Sequence, residues 1–322
     1  MKLSGRIAAG LAVILVPIAV QAQQGPPWPV KPVRFVVAFA PGGPADVVAR
    51  LVGNKLNELL GQQIIVENRG GAGGNIAAAL VARSAPDGYN ALVTTSAFAV
   101  NVTLYASPGY EERDFAPVVN VATQPNLIFV SAAFPAKTLA ELIATVRNGK
   151  FAFASPGLGT TPHLTGENLF RTIAKADVTP IHFSGAGPAV TALMTGEPPI
   201  ASLAPTAALP QVRAGKIRAI AVAGATRFFA LPEVPTFAEA GIPGVQDTTW
   251  TAIFLPAGTP AVIVQRLNEA SNRVIQMPDI REKLEAQGLE TVGGSSQQFS
   301  EYVKAEISKW GKVVRDAHMK AD

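Results

Sequence analysis

VRFVVAFAPGGPADVVAR, residues 33–50, carries a strand, a turn and the start of a helix in one unbroken stretch. Phe35, Val36, Val37, Ala38 and Phe39 form an apolar run of the kind a buried strand takes. Pro41-Gly42-Gly43 ends it with residues suited to an abrupt turn. A helix is predicted to begin at once. Asp46 falls in its first turn, where a carboxylate complements the positive end of the helix dipole. Val48, Val52, Leu56 and Leu60 then recur every four residues as an apolar stripe, and Gly61 supplies the stop. A strand end followed by a glycine turn and a helix start leaves several backbone N–H groups without an intrahelical partner, an arrangement suited to a carboxylate. Most strand-turn-helix units are plain connections, so a binding role needs support from the rest of the chain.

The totals allow two domains of ordinary size: 322 residues, 48% of them hydrophobic, give ample material for real cores. Net charge is +4, of which Lys2 and Arg6 supply two, and no basic cluster occurs, so nucleic acid is not an expected partner. Residues 1–22 read as a signal peptide. Lys2 and Arg6 form its positive start, Ile7 to Val20 is an apolar run too short and Pro-interrupted for a membrane span, and Val20-Gln21-Ala22 has the small-residue cleavage pattern. The chain contains no cysteine, which excludes disulfides, thiol catalysis, Cys-ligated metal and an acylated N-terminal Cys. A soluble periplasmic protein, cleaved near Ala22, is the expectation.

Strand and helix signals alternate along the mature chain. Gln63 to Glu67 and Ala91 to Thr95 read as strands on either side of an Ala-rich helix from Ile76 to Arg83, which argues for a parallel sheet with helices on its faces. The glycine run from Gly70 to Gly74 lacks the third glycine and the acidic partner of a dinucleotide fingerprint, so close backbone packing explains it better. Leu127 opens a second block. Thr138 and Glu141 form a capping box, Phe151 to Ala154 is a strand, and Ser155 to Thr161 is a second glycine turn leading into a helix through His163, Leu164 and Phe170. Strands at Thr179 to Phe183, Ile200 to Leu203 and Ile217 to Ala221 follow, the first ending in Ser184-Gly-Ala-Gly187. A crossing strand around Trp250 to Leu255 leads back to helices at 261–275, 279–286 and 297–317, the last with Phe299, Val303, Ile307, Trp310, Val313 and Val314 on one face. The expected domains are 23–124 with 248–322, and 125–247.

Catalysis is hard to assemble from these residues. His163, His182 and His318 are far apart, with no His-x-x-x-His or Glu-x-x-His pair, so no metal is expected. Ser155 sits in Ala-Ser-Pro-Gly, which is not the nucleophile elbow. What remains is a pair of glycine turns, PGGPAD and SPGLGTTPH, each at a strand end and each opening a helix in a separate α/β block. Facing each other across a cleft, they offer N–H groups and hydroxyls to the acid group of a small ligand.

VRFVVAFAPGGPADVVARLV, VENRGGAGGN, APDGY, DFAPV, PAKTLAEL, SPGLGTTPHL, RAGKIRAIAV, LPEVPTFAEAGIPG and PAGTP occur in the order in which they occur in the Bug (TctC-like) family. From about Trp28 onward the chain resembles these periplasmic solute receptors of tripartite tricarboxylate transporters. The resemblance implies an α/β, two-lobed periplasmic binding protein of type II-like form, each lobe a mostly parallel sheet flanked by helices. It further implies an organic carboxylate in the interlobe cleft, membrane transport subunits as partners, a monomer, no cofactor and no enzymatic activity. The family's two acid-holding loops fall on Phe39, Pro41, Gly42, Gly43, Pro44, Ala45 and Asp46, and on Ser155, Gly157, Gly159, Thr160 and His163, with Thr95 and Ser96 completing the pocket. Departures occur where relatives carry His-Ala-x-Asn, Val-Pro-Tyr-Lys/Arg-Gly and Phe-Asp-Asn. Here those positions hold Phe98 to Asn101, Ile181 to Gly185 (with Phe183 and Ser184) and Ser202-Leu203-Ala204. Leu203 cannot hold an ammonium group, which implies that amino acids are disfavoured against aromatic or other non-amino mono- and dicarboxylates. Two other roles stay open at this point: a receptor presenting its ligand to a sensor kinase, and a small-molecule hydrolase using Ser155 and His163.

Overall fold

The computed structural model describes residues 28–316 and 319–321; the expected signal peptide lies outside them. Two sheets, each flanked by helices, divide the chain. The first is built from β1 (Val33–Val37), β2 (Ile64–Asn68), β3 (Asn90–Thr95), β4 (Phe115–Pro125), β10 (Thr248–Pro256) and β11 (Glu290–Thr291), in the order β11-β4-β10-β3-β1-β2. The second holds β5 (Leu127–Ser131), β6 (Phe151–Ser155), β7 (Val178–His182), β8 (Ile200–Leu203) and β9 (Ile217–Val222), in the order β7-β6-β8-β5-β9. Both sheets are mixed. Contrary to the expectation of mostly parallel sheets, only β2-β1-β3 and β7-β6-β8 are parallel, while β10 and β5, the strands adjoining the crossings, pair antiparallel with both neighbours. The chain passes between sheets at Asn126 and Asp247, and the Asn126 amide donates to the Asp247 carbonyl at 3.1 Å.

The opening stretch folds as its residues dictate. β1 is almost wholly buried, and α1 (Pro44–Leu60) buries Val48, Val52, Leu56 and Leu60 against it before Gly61 closes the helix in the left-handed region. Helix α2 (Asn75–Ala82) follows the glycine run. Among the elements that escaped the sequence patterns, two show why. α3 (Ala97–Leu104) is apolar on all sides because it is buried on all sides, so it shows no stripe. β4 carries Pro117 opposite Phe254, where the β10 ladder shifts register, and an irregular ladder is where a strand tolerates proline.

In the second lobe, α4 (Leu139–Arg147) starts at the expected Thr138 cap, whose hydroxyl accepts from the Glu141 amide. Helix α5 (Thr161–Glu167) runs directly into a π-helical turn at Asn168–Ile173. α6 (Ala186–Thr195) and the short α7 (Leu209–Arg213) complete this lobe. Helices α8 (Ala261–Ile275), α9 (Pro278–Ala286) and α10 (Ser296–Asp316) return to the first sheet.

α10 is fixed to that sheet by a buried carboxylate. Glu306 accepts from the indole N–H of Trp250 on β10 at 3.1 Å and from that of Trp310 at 3.0 Å. The apolar stripe of α10 therefore includes a charge that sequence alone does not flag, and Val313, expected on the stripe, is exposed. Removing the acceptor strands two buried donors. Glu306→Ala is expected to lower unfolding stability by about 2–4 kcal/mol, and Glu306→Gln, which keeps an oxygen, by less; denaturant melts of the three proteins decide this.

Candidate ligand-binding cleft

The strand ends of both sheets meet at one cleft, and main chain approaches main chain across it. Ala40 donates its amide to the Ser184 carbonyl at 2.9 Å, tying the loop after β1 to the loop after β7. A Cβ on Gly187 would stand 2.4 Å from the Pro41 carbonyl oxygen, one on Gly73 2.2 Å from that of Leu158, and one on Gly185 2.9 Å from the Ala40 nitrogen. Such distances leave room for hydrogen only.

Between these contacts lies a cavity of about 20 Å³, walled by Phe39, Gly43, Pro44 and Thr95 from one side, Pro156, Thr160, Pro162, Ala186 and Ala204 from the other, and Thr249 at the crossing. That volume suits a single water and is too small for a multi-carbon ligand. Among the described residues, no charged side chain lines the cavity. Its polar groups are threonine hydroxyls and backbone amides. Among the described residues, the amides of Gly43, Ala45 and Asp46 at the start of α1, and of Ala186 and Gly187 at the start of α6, have no internal acceptor.

The neighbouring amides are already used. The Gly42 N–H donates to Asp46 Oδ2 at 3.0 Å, while Asp46 Oδ1 accepts from Arg50 Nε at 3.0 Å and from Asn68 Nδ2 at 2.9 Å. In the second turn the Thr160 amide donates to the Gly157 carbonyl at 3.2 Å, and the Gly159 and His163 amides make 3.4 Å contacts with His163 Nδ1 and Thr160 Oγ1. A chain of buried hydrogen bonds then runs from cleft to crossing: Ser96 Oγ to Thr161 Oγ1 at 2.8 Å, Thr161 to Thr249 at 3.0 Å, Thr249 to Asn126 Oδ1 at 2.7 Å, Asn126 Nδ2 to Thr165 Oγ1 at 3.0 Å, and Thr165 to Asp247 Oδ2 at 3.0 Å.

Comparison with known proteins agrees with this geometry. The family model described as the tripartite tricarboxylate transporter family receptor, TctC, matches residues 48–319. The chain belongs to that receptor family. The UPF0065 protein in the tcbD-tcbE intergenic region of Pseudomonas sp. (strain P51) is 36% identical over 323 residues, covering 98% of this chain and 95% of its own. Rpa4515 of R. palustris, solved with adipate, is 35% identical with a TM-score of 0.87, covering 91% of this chain and 99% of its own. MatC (Rpa3494) from Rhodopseudomonas palustris, solved with malate, is 36% identical with a TM-score of 0.83, covering 89% of this chain and 100% of its own.

Measured against the receptor's geometry, the expected site residues separate into three groups. Phe39, Gly43, Pro44, Thr95 and Thr160 line the cavity. Pro41, Gly42, Ala45, Asp46, Ser96, Gly157, Gly159, His163, Phe183 and Ser184 belong to the loops and helix starts that shape it, with hydroxyls and carbonyls largely committed to the protein itself. Phe98 and Leu203 are core residues. Phe98 stacks on Phe254 and Tyr110, and Leu203 is buried in the second lobe beneath Ala204, which reaches the cavity in its place because successive residues at a strand end alternate in direction. Pro156, Pro162, Ala186, Ala204 and Thr249 line the cavity without having been foreseen. Ala186 was approachable, since it sits in the third glycine turn, SGAG; Thr249 takes its place only through the crossing of β10.

Ser155 pairs with His182, not with His163: Ser155 Oγ is 2.8 Å from His182 Nδ1, the two residues lying opposite each other in the β6–β7 ladder. Ser155 is wholly buried, with its hydroxyl engaged inside the lobe. His163 packs edge-on against His182 and is held neutral, its pKa lowered to about 3 chiefly by burial, with smaller contributions from His182 and Arg171.

Burial alone would raise the Asp46 pKa, yet the bonds from Arg50, Gly42 and Asn68 outweigh it and hold the carboxyl below its ordinary value of 3.8. Its stabilising contribution is therefore complete at neutral pH and is lost as pH falls through that depressed value. Asp46→Asn is expected to lower stability at pH 7 by about 1.5–3 kcal/mol, the range for hydrogen bonds to a charged group. The gap between the two proteins should close below the ordinary carboxylate range; parallel thermal melts across pH 7 to 2.5 measure it.

Proposed function

We propose that this receptor captures a small organic acid in the interlobe cleft of the periplasm and hands it to the membrane subunits of a tripartite tricarboxylate-type transporter. The observation that carries the proposal is the wall of the cavity: the free amides of Gly43 and Ala186 at two helix starts, with no charged side chain among the described residues. Amides at a helix start favour an anion, and enclosure between lobes strengthens each hydrogen bond to it. The adipate and malate bound by relatives at about 35% identity support an acid as ligand. Because no carboxylate lines the cavity, an ammonium group would be buried without a counter-charge, so amino acids are disfavoured. The buried Ser155 favours binding over hydrolysis, since a nucleophile must reach its substrate.

In this reading, residues 23–124 with 248–322 form one moving unit and residues 125–247 the other, hinged at Asn126 and Asp247. Glycine contacts define the closed state. A thermal-shift screen tests ligand capture: adipate, malate and aromatic acids should raise the melting temperature in a concentration-dependent way, by mass action. Stronger shifts by aspartate or glutamate, with none by the non-amino acids, would overturn the assignment. Closure has its own test in Gly187→Ala, where only the opposite lobe blocks the new methyl. Overpacking of about 1–3 kcal/mol there should weaken acid binding about 5- to 150-fold and leave the melting temperature of the free protein unchanged.

A further inference from the structure

Two buried polar side chains, each with an unpaired atom, sit opposite cavity-lining residues in the strand ladder, one step behind the cavity wall. Gln124 is 1% exposed and Thr251 is wholly buried, and among the described residues neither Gln124 Nε2 nor Thr251 Oγ1 has a hydrogen-bond partner. Their direction follows from register. Residues directly opposite in an antiparallel ladder send their side chains to the same face. Thr251 pairs with Thr95 and Gln124 pairs with Thr249, and both Thr95 and Thr249 line the cavity. The Gln124 amide is also fixed in orientation, because its Oε1 accepts from Thr206 Oγ1 of the second lobe at 2.8 Å.

A buried donor left unpaired is unfavourable, and few persist in native proteins without a role. Here a donor and a hydroxyl share the cavity's face of the sheet, each held by its strand. We infer that Gln124 and Thr251 form a second subsite, which binds an oxygen-bearing group of the ligand distinct from the acid group held at the helix starts. The inference rests on the acid-receptor reading and sharpens it. The ligand is a dicarboxylate or a hydroxy or oxo acid, and Gln124 and Thr251 discriminate it from a plain monocarboxylate. A monoacid of equal length places an alkyl end against these groups and leaves both unsatisfied.

Calorimetry with matched pairs, adipate against hexanoate and succinate against butyrate, tests this on the wild type, Gln124→Met and Thr251→Val. The wild type should prefer each diacid by about tenfold or more, as expected for a hydrogen bond to a charged group. In either folded variant that ratio should shrink to about threefold or less, with diacid affinity falling and monoacid affinity held or raised; general damage to the lobe would weaken both acids together. Equal wild-type affinity for the members of each pair, or an unchanged ratio in a folded variant, overturns the subsite alone. Wild-type protein that binds none of the four acids, nor malate, overturns the receptor reading and the subsite with it.

Discussion

The approach of backbone to backbone across the cleft constrains everything else in this receptor. Gly73, Gly185 and Gly187 sit where a methyl group would strike a main-chain atom of the opposite lobe, so the lobes meet only because those positions carry hydrogen. A cleft closed in this way has walls made of peptide groups, prolines and small side chains. On the proposed reading, recognition depends on amide geometry, which is fixed by the strands and helix starts, more than on flexible charged side chains that would pay rotamer entropy on binding.

The turn after β1 shows how such a wall is prepared. Asp46 lies in the first turn of α1 yet points its carboxylate into the lobe, where Gly42, Arg50 and Asn68 satisfy it. One amide of the turn is thereby fixed, and those of Gly43, Ala45 and Asp46 remain open. The second turn is braced likewise by Thr160 and His163, whose neutral ring is a packing and hydrogen-bonding element. Both turns are preorganised by internal bonds, which on the proposed reading leaves less ordering to be done when an anion arrives.

Much of the fold was legible because the relevant signals are local. The four-residue stripe of α1, the Thr138 cap and the Gly61 stop each depend on a few neighbouring residues and stand where expected, while β1 (Val33–Val37) begins two residues before the expected Phe35 and ends before Ala38 and Phe39. Legibility failed where burial erased periodicity, as in the all-round apolar α3, and where a proline sat in an irregular ladder, as in β4. At the cleft, the sequence pointed to the loops but not to the faces. Leu203 and Ala204 are adjacent in the chain, yet one packs the core and the other lines the cavity.

The sequence by itself determined the two α/β blocks, the glycine turns at their strand ends and the resemblance that the family comparison bears out. Only the tertiary structure decided which amides stay free, that Asp46 and His163 serve the protein, and that Thr249, Gln124 and Thr251 share the cavity's face. The physical reason is that turns and caps are set by bonds between near neighbours, whereas a cavity wall is set by strand register across residues far apart in the chain. Pairing Thr95 with Thr251, and Thr249 with Gln124, joins positions that no local pattern relates.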